Sequence, residues 1–275
     1  MIPAVGAFLL ILFFGFVGLR RFERAQVFQP TRNFALELDE HPWPGEEVWL
    51  DSSDGVRLHA WYFPCEDRPQ ASSWVVLHSH GNAGNISHRF EVYDILKQTG
   101  AAVFAYEYRG YGRSSGRASE QGLYRDIETA HTWLREQGFP SERIIAHGNS
   151  LGAGPSAYLA ERQPIAGLVL RSAFTSVPDL GKDLFPWLPV DLVSGIGFPV
   201  AERLPQIQCP VVLLHGRDDR LIPLRHAESN FAAANEPKFF YPILPGDHND
   251  SCSTVAKDYV AAINSIIFGR PGEPL

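Results

Sequence analysis

Gly148-Asn149-Ser150-Leu151-Gly152 places a serine between two glycines where a strand-like run gives way to a helical one. Residues 143–147 read as a short buried strand and residues 153–162 as a helix. A G-x-S-x-G sequence in that context presents a nucleophile on a tight turn. Side chains at the glycine positions would collide with neighbouring backbone, and the turn lifts the hydroxyl clear of the sheet. The following helix points its amides at negative charge forming there. Pro155 lies beyond the first helical position, so a distorted first turn is expected.

A serine hydroxyl is a weak nucleophile until a base takes its proton and an acid orients that base. On folds of this type the three follow in the order serine, acid, histidine. After the apolar run 211–214 comes His215-Gly216-Arg217-Asp218-Asp219-Arg220-Leu221-Ile222-Pro223, and after 239–244 comes Pro245-Gly246-Asp247-His248-Asn249-Asp250. His248 is the candidate base. Asp219 is chosen over Asp218 as the orienting acid because it fits G-x-x-D-x-x-[hydrophobic]-P, leaving Asp218 as a turn-former. The oxyanion donors are the backbone N–H of Leu151 and that of Asn82, with Ala83 second.

His78-Ser79-His80 has the spacing of some zinc sites, but no matching partner follows except the distant His88. The stretch 81–84 lacks the lysine of a phosphate loop. No metal or cofactor is implied. His226, inside an expected helix, reads as a surface or packing residue.

The elements that must carry these residues alternate along the chain. Asp54-Gly55 joins two short β-type runs, 47–50 and 56–63, as a hairpin. Strands follow at 74–78, 101–106, 143–147, 165–170, 210–214 and 239–244, and helices at 121–137, 153–162, 225–234 and 255–268. Continuous apolar strands separated by helices predict a mainly parallel sheet covered on both faces, the α/β-hydrolase plan. The hairpin supplies its antiparallel edge.

Composition fits one large domain. The 275 residues are 45% hydrophobic and 20% charged. A formal charge of -7 argues against a nucleic-acid partner. Cys65, Cys209 and Cys252 are odd in number and form neither a disulfide framework nor a zinc pattern. Residues 2–19 are apolar or small and precede Arg20, Arg21 and Arg24. Eighteen helical residues span about 27 Å, enough for a bilayer core. With the charge after the run and no Ala-x-Ala site, an uncleaved single-pass transmembrane anchor is expected rather than a signal peptide. The arginines place the hydrolase domain on the cytoplasmic side. The organisation expected is therefore an anchor over 1–24, a linker over 25–45 and a domain over 46–270.

The motif set His80-Gly81-Asn82-Ala83-Gly84-Asn85-Ile86-Ser87-His88-Arg89, Tyr108-Arg109-Gly110-Tyr111-Gly112-Arg113-Ser114, the serine pentapeptide, Gly216-x-x-Asp219 and Gly246-x-His248-Asn249-Asp250 carries a family resemblance. The chain resembles the membrane-anchored α/β-hydrolase-domain proteins related to the bud-emergence suppressor of yeasts. The resemblance runs from about residue 45 to 268. It departs where the pentapeptide continues as Ala153-Gly154-Pro155. It implies a serine hydrolase of esters, thioesters or lipids with a single N-terminal anchor, and a pocket shaped by residues 172–209. That segment carries Phe174, Leu184, Phe185, Trp187, Leu188, Val190, Val193 and Phe198, either as an acyl-pocket wall or as packing against the sheet.

A lipophilic ester or thioester is the expected substrate. Two other readings stand beside it. One is a peptidase or amidase of the prolyl-oligopeptidase type, for which no propeller or other gating domain is present in the sequence. The other is a non-catalytic membrane-tethered scaffold, which would usually have lost a triad member.

Overall fold

The computed structural model describes residues 2–65, 73–243, 246–248 and 256–268. In chain order the helices are α1 (Ile2–Val27), α2 (Phe90–Gln98), α3 (Glu120–Glu136), α4 (Ala153–Arg162), α5 (Val177–Leu184), α6 (Val190–Val193), α7 (Val200–Arg203), α8 (Arg225–Ala233) and α9 (Ala256–Phe268). The strands are β1 (Gln29–Pro30), β2 (Glu46–Asp51), β3 (Arg57–Phe63), β4 (Val75–Ser79), β5 (Ala83–Gly84), β6 (Ala102–Tyr106), β7 (Ile144–Asn149), β8 (Gly167–Arg171), β9 (Val211–Gly216) and β10 (Lys238–Ile243).

Eight strands form one sheet in the order β10-β9-β8-β7-β4-β6-β3-β2. Only the β2–β3 and β3–β6 pairings are antiparallel, so the Asp54-Gly55 hairpin forms the edge as its sequence predicts. Gly55 takes a φ of 78°, which a glycine tolerates. The central strands are predominantly apolar because both faces are covered. Period-2 alternation divides them: Val75, Leu77, Ala146 and Leu168 pack with Leu123 and Ile127 of α3 and Leu159 of α4. Val76, Ile145, Val169 and Val212 pack with Tyr93 and Leu96 of α2 and Tyr259 and Ile263 of α9.

Helix α3 shows local and tertiary preferences agreeing. Ser119 caps it, its hydroxyl accepting from Gly122 N at 3.1 Å, and Leu123, Ile127, Ala130 and Leu134 form its buried stripe. In α4 the expected distortion is a separate 3-10 turn over Ser150–Gly152. The helix itself starts at Ala153, so Pro155 falls within its first turn, where the missing N–H costs no helical hydrogen bond.

The N-terminal segment folds as one 26-residue helix, α1. Among the described residues no helix is long and apolar enough to cross a membrane, and the side chains of residues 1–12 lie outside them. Residues 28–45, read above as linker, lie against the domain. Gln29 and Pro30 pair with Ala83 and Gly84, and Asn85 Nδ2 donates to the carbonyls of Thr31 and Asn33 at 3.1 and 2.8 Å. Cys252, Asn249 and Asp250 lie outside the described residues.

Two histidines face each other across the centre of the sheet. His78 pairs in register with His147, their Nδ1 atoms are 2.7 Å apart, and His147 Nε2 meets the Tyr259 hydroxyl. Burial first, and then the neighbouring ring, pushes His78 well below its usual value. Burial, with Arg171 adding to it, pushes His147 down to about 3. Both rings are therefore neutral when folded, whereas unfolded histidines titrate near about 6.5. The unfolded state binds more protons between those values, so stability rises with pH from about 3 to 6.5. Urea unfolding between pH 7.5 and 5.5 should show stability falling on acidification by up to about 1.4 kcal/mol per pH unit for each ring. A His147→Gln variant should have the shallower slope, and an unchanged slope would contradict the assignment.

Candidate active site

Ser150 stands at the C-terminal end of β7 with a φ of 52°, a left-handed conformation that side chains other than glycine rarely adopt. The flanking glycines explain why the turn is held. A Cβ on Gly148 would sit 2.5 Å from the Gly152 carbonyl oxygen, and one on Gly152 would overlap the Ser79 carbonyl. The serine is nearly buried, its remaining exposure directed into a cavity.

His248 and Asp219 come together from separate loops, as expected. His248 Nδ1 lies 2.8 Å from Asp219 Oδ2, and the other carboxylate oxygen accepts from Leu221 N at 3.0 Å and Ile222 N at 2.8 Å. Burial works to raise the Asp219 carboxyl, but the His248 hydrogen bond and charge outweigh it and hold the group below its usual value. Asp218 is exposed, with its backbone N–H donating to the Gly246 carbonyl at 2.9 Å. Asp247 fastens the histidine loop. Its Oδ1 accepts from His248 N at 2.8 Å and Arg220 N at 3.1 Å, while its Oδ2 accepts from Arg220 Nε at 2.9 Å. The Arg220 hydrogen bonds, followed by those from the backbone, push the Asp247 carboxyl down to about 2. Close packing also matters here, since a Cβ on Gly216 would overlap the Gly246 carbonyl.

The Asn82 loop is anchored by a pair of residues that sequence reasoning missed. His80 Nε2 lies 2.9 Å from Glu107 Oε1, and both side chains are wholly buried. Glu107 Oε2 accepts from Ile86 N at 3.0 Å. His80 Nδ1 is 2.7 Å from the Gly81 carbonyl, and because a carbonyl only accepts, Nδ1 carries the proton. The Gly81–Asn82 peptide is trans, so its N–H points opposite to the carbonyl that His80 holds. Asn82 lines the same cavity as Ser150, Leu151 and His248. Its carbonyl is occupied by Gln29 N at 3.2 Å and by the Tyr111 hydroxyl at 2.9 Å. No sequence spacing signals the His80–Glu107 pairing, which arises only because β4 and β6 are sheet neighbours.

The H-x-H pair is split between these networks, His78 on His147 and His80 on Glu107. Among the described residues no group of three His, Cys, Asp or Glu could hold a metal. His226 is buried and structural. It accepts from Thr175 N through Nδ1 at 3.1 Å and meets Asp183 Oδ2 through Nε2 at 2.7 Å, tying α8 to α5.

The cavity has a volume of about 950 Å³. The 172–209 segment contributes Phe174, Leu180, Leu184, Phe185 and Leu188 to its wall, whereas Phe198 is packed into the core. A second stretch of wall was not expected. It includes Leu19, Phe22, Glu23 and Gln26 of α1, spaced i, i+3, i+4 and i+7. That one-face spacing is the signal by which the sequence could have disclosed it.

A family model described as Serine aminopeptidase, S33 matches residues 70–198. An uncharacterized protein of Mycobacterium tuberculosis, Rv2307c, is 41% identical over 208 residues, covering 75% of this chain and 73% of its own. The α/β-hydrolase domain-containing protein WAV2 of Arabidopsis thaliana is 33% identical over 226 residues, covering 75% of this chain and 73% of its own. Among solved structures, the Pyrococcus furiosus esterase Pf2001 superposes with a TM-score of 0.70 at 20% identity, over 88% of this chain and 98% of its own. That last likeness shows the fold alone.

The buried His80–Glu107 contact makes a stability prediction. Glu107→Ala leaves the buried His80 Nε2 without its partner and the Ile86 N–H without its acceptor, and should cost about 3–5 kcal/mol in urea unfolding. A loss below about 1 kcal/mol would mean that the pair does not hold this loop.

Proposed function

The chain belongs to the α/β-hydrolase domain-containing protein family, and on that premise we propose that it is a serine hydrolase of carboxylic esters or thioesters with a lipophilic acyl group. In this reading Ser150 Oγ attacks the acyl carbonyl carbon while His248 takes its proton. The negative charge that forms on the carbonyl oxygen is received by the N–H groups of Leu151 and Asn82. Collapse breaks the bond to the alcohol or thiol, which leaves with the proton returned by His248. Water then attacks the acyl-enzyme by the same route, releasing the acid and restoring Ser150. Asp219 keeps the imidazole in the tautomer and orientation that both steps need.

The observation that carries this reading is the 2.8 Å Asp219–His248 hydrogen bond, with His248 opening on the cavity that holds the left-handed Ser150. The apolar wall favours an acyl chain over a small polar group. The description of the matching family model favours a second reading, cleavage of a peptide or amide bond. Peptide p-nitroanilides assayed beside esters separate the two.

The proposal includes a tether, with residues 2–19 held at a bilayer and the domain on its cytoplasmic side. Phe13, Phe14 and Phe16, each more than half exposed, support it. Resistance of the full chain to carbonate extraction is the expected result, and release into the soluble fraction would refute it.

p-Nitrophenyl esters of two to twelve acyl carbons should show kcat/KM rising with chain length, and a preference for acetate over all longer chains would contradict the acyl reading. Ser150→Ala should reduce kcat by on the order of 10⁴ or more, and Asp219→Asn by on the order of 10³–10⁴. Asp218→Asn should stay within about threefold of the native enzyme, since its side chain points to solvent. Loss at Asp218 with retention at Asp219 would reverse the assignment.

A further inference from the structure

The last turns of α1 do more than lead into the domain. Leu19, Phe22 and Gln26 line the cavity together with Phe185 and Leu188, and the Phe22 and Phe185 rings meet edge to face at 5.4 Å, joining the two walls along one side. The helix is locked to the 172–209 segment through one carboxylate. Glu23 Oε1 accepts from Ser194 Oγ at 2.5 Å, Gly195 N at 2.9 Å and Ile196 N at 3.1 Å. Its other oxygen accepts from Arg20 Nη1 at 3.0 Å, and Arg20 reaches on to the Val193 carbonyl at 3.4 Å. Gly195 is pressed so closely against the Arg20 guanidinium that a Cβ there would overlap it.

The next two amides along the chain are held separately. Gly197 N and Phe198 N donate to Glu120 of α3 at 2.7 and 2.9 Å. The 197–198 backbone is thus fixed to the main domain, while 194–196 is fixed to α1. Val177 N donates to the Gly197 carbonyl at 2.8 Å, closing the base of the segment that carries α5 and α6. Above that base, α5 is tied to α8 through Asp183 and His226, while the 194–196 backbone is held to α1 through Glu23. A salt bridge at the surface would contribute little, but a half-buried carboxylate that accepts from Ser194, Gly195, Ile196 and Arg20 together contributes more.

We propose that the C-terminal turns of α1 are one wall of the acyl site, and that Glu23 is a positioning residue setting that site's selectivity by holding the 194–196 backbone against the helix. The proposal rests on the acyl-hydrolase reading above and adds the determinant of acyl-chain length. Releasing Glu23 lets α1 and the 172–209 segment part, so a long chain loses contacts with both while a two-carbon acyl group, held at Ser150, loses few. The effect falls on binding more than on the chemical step.

The test compares p-nitrophenyl dodecanoate with p-nitrophenyl acetate on the full chain. Glu23→Ala should lower the dodecanoate-to-acetate ratio of kcat/KM at least about tenfold, mainly through KM, as expected for losing hydrogen bonds to a charged group. Glu23→Gln, which keeps one acceptor oxygen, should recover a large part of that ratio. An unchanged ratio, or equal losses on both esters, overturns the proposal. Should Glu23→Ala fail to fold, Val27→Trp, which fills the same wall, must shift the ratio in the same direction, and no shift overturns it. If the native chain turns over no ester at all, the hydrolase reading fails by itself. The wall is then read from cis-parinaric acid fluorescence: at least about tenfold weaker binding in Glu23→Ala sustains it, and no binding to the native chain, or unchanged binding in the variant, overturns it.

Discussion

Ser150 holds its left-handed backbone because its own turn and the end of β4 meet within a space that only glycine can leave open. Gly152 lies against the Ser79 carbonyl at the end of β4, and Gly148 lies against Gly152 itself. A non-glycine residue in that conformation costs on the order of 1–2 kcal/mol, and it persists because the surrounding sheet determines it. The contact with Ser79 has a second effect. It joins the Ser150 turn to the strand whose continuation is His80-Gly81-Asn82, so the serine and the proposed oxyanion loop share one frame. Gly216 against Gly246 does the same for the loops that bear Asp219 and His248.

Around this frame the buried polar groups divide by what they hold. His80 and Glu107 orient a peptide at the cavity's edge, whereas His78, His147 and Tyr259 join two strands to α9 on the face of the sheet that α2 and α9 cover. Arg109 belongs to a third set. Its Nε donates to Asp126 Oδ1 at 2.8 Å and its Nη1 to Asp54 Oδ2 at 2.6 Å, fastening the β2–β3 turn to α3. Each network satisfies groups that would be costly to bury alone. The one beside the cavity also fixes the orientation of the Gly81–Asn82 peptide, whose N–H is the proposed oxyanion donor.

Much of this was legible in the sequence because local signals and the global fold agree. The Asp54-Gly55 hairpin, the apolar strands and the Ser150 turn each rest on a few adjacent residues, and each forms close to its expected bounds. The turn pattern favours Asp219 over Asp218 as the acid, and in the structure Asp219 contacts His248 while Asp218 is exposed. What escaped depends on distant residues meeting. α2 was not foreseen, because its short run follows a 3-10 turn rather than a helical cap. The His80–Glu107 pair needs β4 and β6 side by side. The cavity wall on α1 was hidden by the long apolar run before it, which drew attention to a membrane and away from the one-face spacing of Leu19, Phe22, Glu23 and Gln26.

A covalent intermediate on one serine is the centre of the account. Rapid mixing of the full chain with a medium-chain p-nitrophenyl ester, followed by acid quench, intact-mass measurement and peptide mapping, examines it directly. The account predicts a transient gain of one acyl group, carried by the peptide that contains Ser150, with a matching burst of p-nitrophenol. Turnover with no adduct under any quench time, or an adduct on a peptide lacking Ser150, would contradict it.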